Sequence, residues 1–476
     1  MKHSILKRLL IIAAFGVLLL PNTFAATDIF KITQQDLIYF MLTDRFCDGD
    51  LSNDQNAHKK DLSAYHGGDW QGIINKLDYI KELGYTAIWI SPVVANQIRG
   101  YHGYWATDFY KTNENFGSME KLKELVKTAH AKGIKVIVDL VVNHVGGMHP
   151  WCSDPQYANW FHHRGPISNW SDQKEVEEGT TSNLPDLDQS NPEVKKYLID
   201  MAKWWIAQVG FDGYRLDTVR HVPKEFWKEF VTEIKKEYPD FYFVGEVLDD
   251  RADYVAEYQN TGIDGLFDYP LYFGICDVFK ADRPASRLIG MIKNCQNNYK
   301  NPYLMGTFLD NLDQPRFLNQ ITDLPEERLR QGLAFMMTYT GIPVMYYGTE
   351  IGFDGADDPN NRLDMDWSVK SPLKDYVKKL TTIRRTNKAL TNGDFQIIQS
   401  KTDSLCYLRR FGNNLIVVAF NLSDENEQVE LSLSNKNGNE RVLVDLLNDK
   451  KIKVDNGKIK LVMGPRQVKI LGNSTK

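Results

Sequence analysis

Short apolar and β-branched runs alternate along this chain with stretches whose apolar residues recur every three or four positions. The runs Leu37–Leu42, Thr86–Ile90, Lys135–Val142, Phe211–Leu216, Phe241–Val247, Gly265–Tyr269, Tyr303–Leu309 and Pro343–Tyr347 predict eight strands. They are nearly continuous in apolar character, as burial on both faces of a parallel sheet requires. Between them, Trp70–Leu83, Leu122–Lys132, Pro192–Val209, Pro223–Tyr238 and Glu326–Thr338 predict amphipathic helices. Eight strand–helix units predict an α/β fold closed as a (β/α)8 TIM barrel.

Two segments break this rhythm. Residues 143–191 form a long polar stretch dotted with Trp151, Trp160 and Trp170 and carry no clear helical pattern. A connection of that length points to a functional loop or a small inserted unit. After about Leu390 the pattern becomes short alternating strands, Phe395–Gln399, Leu405–Phe411, Leu415–Asn421, Gln428–Leu433, Arg441–Leu446, Lys458–Met463 and Gln467–Leu471, parted by Gly, Asn and Asp. That alternation predicts a C-terminal antiparallel β-sandwich. The expected organisation is a leader over 1–25, barrel over 26–142 and 192–390, a loop-inserted unit over 143–191, and the sandwich over 391–476.

Composition narrows the function classes. The 476 residues are 42% hydrophobic and 25% charged with a net charge of −5, which speaks against nucleic acid as a partner. At the N-terminus Lys2, Lys7 and Arg8 precede the apolar run Leu9–Leu20, followed by Pro21 and Thr23-Phe24-Ala25. Charge, then a short apolar run, then small residues is the layout of a secretory signal peptide. The expected mature chain is secreted, to the periplasm or the medium, without a membrane anchor and as a monomer. Five cysteines, Cys47, Cys152, Cys276, Cys295 and Cys406, are widely spaced and lack a C-x-x-C pair; they predict neither a disulfide framework nor a zinc site, though one bridge stays open.

Barrel enzymes draw their chemistry from the C-terminal ends of the strands. Here those ends carry Asp139 through Asn143 and His144, Asp212 through Arg215 and Asp217, Glu246, and Asp310 through Asp313. A single carboxylate after an apolar strand is most simply a cap or an ion-pair partner. Four strand ends converging on one mouth favour a site.

These segments resemble the sequence blocks of the α-amylase family, glycoside hydrolase family thirteen: DLVVNH (139–144), GFDGYRLDTVRH (210–221), VGEV (244–247), FLDNLD (308–313) and LPDLD (184–188). His102-Gly103-Tyr104-Trp105 resembles the sugar-stacking segment after strand two, and Gly348-Thr349-Glu350 ends strand eight as in that family. The resemblance implies a retaining hydrolase of α-1,4-glucosidic bonds acting on starch, glycogen or maltooligosaccharides. It assigns Asp217 as nucleophile, Glu246 as acid/base and Asp313 as the third carboxylate. Arg215 would keep Asp217 ionised and oriented, with His144, Tyr104, His102 and Arg220 meeting the sugar. Asp139 and Asp212 are expected to hold the barrel mouth together. The chemistry needs an ionised and a protonated carboxyl about 5 Å apart on opposite sides of the bond.

Calcium is the expected cofactor. Asp48, Asp50, Asn53, Asp54, Gly67 and Asp69 crowd oxygen atoms of the kind Ca²⁺ prefers into the loop after strand one. A solvated acidic turn would have the same spacing, but the loop also resembles the first-loop calcium site of cyclodextrin glucanotransferases. Asn143, Asp186 and His221, the last through its carbonyl, match the family's site between barrel and inserted unit.

Three positions depart from the pattern. Leu312 stands where the family usually has a histidine that bonds the sugar. Ser182 and Leu248 stand where the glucanotransferases place aromatic rings. Hydrolysis is therefore expected over glucanotransfer, with a cyclomaltodextrinase or neopullulanase activity as the alternative and a catalytically impaired glucan-binding protein as the non-enzymatic one.

Overall fold

The computed structural model describes residues 29–433 and 442–473, so the expected leader over 1–25 lies outside them. Eight parallel strands, β1 (Ile38–Met41), β2 (Ala87–Ile90), β3 (Lys135–Leu140), β4 (Gly213–Leu216), β5 (Tyr242–Gly245), β6 (Gly265–Leu266), β7 (Gly306–Thr307) and β8 (Ile342–Tyr346), form one sheet in the order β6-β5-β4-β3-β2-β1-β8-β7. Phe267 bridges Gly306, and the Asp268 N–H donates to the Gly306 carbonyl at 2.9 Å, which joins the two ends into a barrel. Every barrel strand of the sequence reading appears, seven of them shortened and the last, predicted at Pro343–Tyr347, shifted by one residue. β6 stops early because Asp268 caps the helix Tyr269–Ile275 through the Leu271 N–H, with Pro270 in its first turn.

The predicted helices appear as Trp70–Glu82, Met119–Ala131, Pro192–Val209, Lys224–Glu237 and Pro325–Thr338. Their apolar faces bury Trp70, Trp205 and Trp227 against the barrel. Boundaries follow the local chemistry. Asp69 accepts the Gly72 N–H at 2.6 Å, Asn191 caps the helix that opens on Pro192, and Gly210 ends that helix in the left-handed region at φ 81°. The helices Ala252–Glu257, Ser286–Asn298 and Pro372–Thr386 complete the outer layer.

The stretch expected to lack helix does contain one, Gln173–Glu178, with 3₁₀ turns at Pro150–Cys152 and Pro155–Trp160. Asp172 accepts the Lys174 and Glu175 N–H groups, a cap strong enough to start a helix too short to show periodicity. Trp151, Tyr157 and Trp160 pack with Tyr197 of the helix Pro192–Val209, ring centroids 4.8–5.6 Å apart, which joins this excursion to the barrel core. Trp170 stays half-exposed. A hairpin, Val94–Asn96 with Ala106–Thr112, was not anticipated in the β2 loop.

The C-terminal segment is antiparallel. β9 (Asp394–Lys401), β10 (Ser404–Phe411), β11 (Asn414–Asn421), β13 (Val442–Asp445), β14 (Lys450–Lys453) and β16 (Val468–Asn473) form one sheet, and β12 (Glu427–Ser432) pairs with β15 (Lys458–Met463) in a second. Leu408, Val417, Val429, Leu431, Leu461 and Met463 share the core between them. β14 escaped the sequence reading because Lys450-Lys451-Ile452-Lys453 offers one apolar residue. All five cysteines are free, and no described helix is long and apolar enough to cross a membrane.

Candidate active site

At the C-terminal mouth of the barrel, register sets the chemistry. Leu216 pairs with Gly245, so the next residues, Asp217 and Glu246, emerge at one level on neighbouring strands. Neighbouring strands lie about 4.8 Å apart, close enough for both side chains to share one counter-charge. Arg215 lies beneath both. Its Nη1 holds Asp217 and, at 3.0 Å, Asp139; its Nη2 meets Glu246 Oε2 at 2.9 Å. One buried guanidinium thus serves three carboxylates. Burial works against its charge, but Asp139, Glu246 and Asp217 outweigh that and keep its pKa well above the ordinary value.

The residue between the carboxylates also contributes. Thr218 adopts φ 45°, a conformation costly for a β-branched side chain and tolerated where a site demands it. That turn aims its N–H at Glu246 Oε2 (3.1 Å) and its hydroxyl at Asp217 Oδ2 (3.2 Å).

Asp313 arrives from the β7 loop. Its N–H donates to Asn311 Oδ1 at 2.8 Å, and Arg362 meets its carboxylate at 3.2 Å while donating to the Leu312 carbonyl at 2.9 Å. Its side chain is 38% exposed, yet loss of hydration in the crowded mouth raises the Asp313 carboxyl to about 6, with the Glu246 charge adding to this and Arg362 opposing it. Burial likewise raises Asp217, against the direct pull of Arg215, and raises Asp139 to about 6. Several carboxylates share one pocket, and not all ionise easily together.

A cavity of about 320 Å³ brings together Asp217, Glu246, Asp313, His102, Tyr104 and His144, with Trp105, Ser182, Asp358 and Arg362 on its walls. Burial holds His144 down at about 4 and His102 well below the usual histidine value, so both rings are neutral. Tyr104 donates to Asp139 Oδ2 at 2.6 Å, and its ring stacks on His102. The Leu312 side chain packs in the core and is absent from the cavity wall. Arg220 stands apart, lining a second, apolar cavity of about 420 Å³ with Trp170, His221 and Leu248. Glu246 and Thr218 line both cavities, so the cleft continues past the carboxylates. A larger hollow of about 550 Å³ lies against β16 and the helix Pro372–Thr386 and contains none of these carboxylates.

Asp212 belongs elsewhere. It precedes β4, so it lies at the opposite end of the barrel from the mouth assigned to it by sequence. There it accepts the Phe30 and Val136 N–H groups at 2.7 Å and contacts His130 at 2.8 Å. Asp139 does sit at the mouth. Thr218, Arg362, Asp358 and Tyr269, whose hydroxyl donates to Glu246 at 3.3 Å, were not singled out by sequence, whereas Trp105 belongs to the segment expected to stack on sugar. For Tyr269 the available signal was its place as the last residue of the run Gly265–Tyr269.

Both candidate calcium sets leave oxygens without donors. Asp48 Oδ1, Asn53 Oδ1 and Asp54 Oδ1 are buried and unpaired, as are Asn143 Oδ1 and Asp186 Oδ1. Burial raises Asp54, and the neighbouring Asp48 and Asp69 charges add to that. A Cβ on Gly67, whose φ is +92°, would come within 2.3 Å of Asp54 Oδ1. The Asp50 and Asp69 carboxylates are occupied by Ser52 and by the Gly49, Asp50 and Gly72 N–H groups respectively. Asp186 is driven up to about 7 by burial, against a 2.7 Å contact with His162. His221 is buried, with Nδ1 unpaired. Among the described residues no three His, Cys, Asp or Glu side chains gather as a metal cluster; both sets depend on amide and carbonyl oxygens, which suit a hard cation.

Comparison with known proteins bears on the family and the fold. Residues 40–392 match the model of the α-amylase catalytic domain, and residues 395–470 that of the maltogenic amylase C-terminal domain. The crystal structure of an Anoxybacillus α-amylase superposes with a TM-score of 0.90 at 44% identity, covering 93% of this chain and 98% of that one. A β/α-amylase of Paenibacillus polymyxa is 37% identical over 91% of this chain, and a cyclomaltodextrin glucanotransferase of Niallia circulans 35% identical over 89%. The chain spans only 37% and 64% of the length of those two relatives.

Proposed function

The chain belongs to the α-amylase family of glycoside hydrolases, and on that premise we propose that it is a secreted retaining hydrolase of α-1,4-glucosidic bonds. The observation that carries the reading is the Arg215 guanidinium in contact with both Asp217 and Glu246 at neighbouring strand ends. Contact with that charge favours the ionised form of Asp217, which attacks C1 of the sugar. Glu246 gives its proton to the departing glycosidic oxygen as that bond breaks, forming a glycosyl ester on Asp217. It then takes a proton from water, which attacks C1 and restores the original configuration. Asp313, fixed by Arg362, holds sugar hydroxyls, and neutral His102 and His144 with Tyr104 surround the same ring. The proposed partition keeps 143–191 as an inserted unit that closes the cleft and 391–476 as the sandwich.

Hydrolysis is favoured over glucanotransfer because Ser182 and Leu248 give an acceptor sugar no aromatic face. On soluble starch we expect linear maltooligosaccharides and rising reducing ends. Cyclic products outweighing linear ones in chromatography would replace the hydrolase with a transferase. Negligible turnover of starch beside rapid opening of β-cyclodextrin or pullulan would favour the cyclomaltodextrinase or neopullulanase alternative.

Calcium is proposed at both oxygen sets, with Asp48, Asn53, Asp54 and Gly67 forming the core of the first and Asn143, Asp186 and the His221 carbonyl the second. A bound ion would supply the positive charge these oxygens lack and tie the 143–191 excursion to β3. Chelation is expected to lower thermal stability, by about 2.7 kcal/mol for a site at 100-fold excess of ion over its Kd. Calcium, but not magnesium, should restore it. An unchanged melting temperature after chelation removes the metal from the account.

A further inference from the structure

We propose that Tyr269 is a positioning residue for Glu246, holding the carboxyl oxygen that delivers the proton; this rests on the acid/base reading of Glu246. The two oxygens of Glu246 are unequal. Oε2 receives Arg215 Nη2 at 2.9 Å and the Thr218 N–H at 3.1 Å. An oxygen with two donors already aimed at it is the wrong one to carry a proton toward substrate. The proton therefore resides on Oε1, whose contact is the Tyr269 hydroxyl at 3.3 Å.

That hydroxyl is itself fixed. Asn311 Nδ2 donates to it at 3.0 Å, and Asn311 Oδ1 accepts the Asp313 N–H at 2.8 Å. The ring is 1% exposed and meets Phe308 edge-on at 5.1 Å. With its oxygen accepting from Asn311, the phenol has its single proton free to donate to Oε1. Burial keeps the phenol protonated, so the donor persists across working pH. The distance is long for an O–H···O bond, as catalytic contacts often are before substrate binds.

The benefit grows along the reaction. As the C1–O bond breaks, the proton leaves Oε1 for the glycosidic oxygen and Oε1 becomes anionic. A hydroxyl donating to a developing carboxylate is stronger than one donating to a neutral acid, so it stabilises the transition state more than the ground state. Asn311 links this device to the Asp313 loop, coupling proton donor and sugar clamp through one amide.

The test uses leaving groups. Tyr269→Phe removes the hydroxyl and keeps the ring. On maltopentaose its kcat should fall about 10- to 100-fold, the scale of a hydrogen bond to a charged group, with KM within about threefold. On α-maltotriosyl fluoride, whose fluoride departs with little protonation, single-turnover formation of the glycosyl-enzyme should stay within about threefold. Equal loss on both substrates, or no loss on either, overturns the proposal. Should the variant fail to fold, Asn311→Ala leaves the hydroxyl unanchored and must show the same split in smaller measure; equal losses there overturn it too. Glu246→Gln is the parallel control. If it shows no split between the substrates, the acid/base reading itself has failed.

Discussion

Asp217→Asn should leave turnover on starch at least about 10⁴-fold below the parent enzyme, while the protein remains folded. The amide has the shape of the carboxylate, and Arg215 keeps Asp139 and Glu246 as partners, so the site stays electrically satisfied. What disappears is the nucleophile. A factor of 10⁴ corresponds to about 5.5 kcal/mol of barrier, within what removal of a covalent catalyst costs. Glu246→Gln should lose about 10²- to 10⁴-fold on unactivated glucans, the range of general acid catalysis. Reducing-sugar release from soluble starch, measured beside circular dichroism, checks both. Near-normal turnover in either folded variant would end the assignment.

Arg215→Met is expected to cost stability as well as activity. Removing the guanidinium leaves Asp139, Asp217 and Glu246 buried with their common counter-charge gone, and breaking a buried pair in this way costs about 3–5 kcal/mol. The pH dependence follows from the raised carboxyls. Asp139 titrates at about 6 in the fold against an ordinary 3.8, because burial disfavours its charge. The folded state therefore binds more protons than the unfolded one between those values, and stability falls as pH rises through that window. Without Arg215 the folded-state values climb further, so the fall is deeper and extends above pH 6. The variant should lie close to the parent near pH 4 and show its full deficit at pH 7 in denaturant unfolding. A deficit that is constant with pH would mean lost packing rather than stranded charge.

The pair proposed as catalytic was legible because Asp217 and Glu246 stand at the ends of apolar runs that read as buried strands. A carboxylate in that place has no bland explanation once its neighbour has one too. Asp212 shows the limit of that reasoning. It stands at the start of the run Phe211–Leu216, and the pairing begins at Gly213, so its side chain belongs to the N-terminal end of the strand, away from the mouth. Tyr269 was hidden by the opposite error, since the run Gly265–Tyr269 read as strand while Pro270 and Asp268 were starting a helix. Arg362 reaches Asp313 from 49 residues away through an irregular loop, and no periodicity announces such a contact. Thr218 acts through a left-handed backbone that no side-chain pattern encodes. Propensity and pattern recovered the scaffold; the residues that refine the site depend on loop geometry set by tertiary contacts.

The most direct test of the central claim is a trapping measurement on Glu246→Gln supplied with α-maltotriosyl fluoride. The fluoride departs without a strong acid, so the ester forms, but without a base water cannot clear it. Mass spectrometry of the digested protein should find the added trisaccharide on the peptide containing Asp217. An adduct on another residue, or none while fluoride is still released, would contradict the double-displacement account.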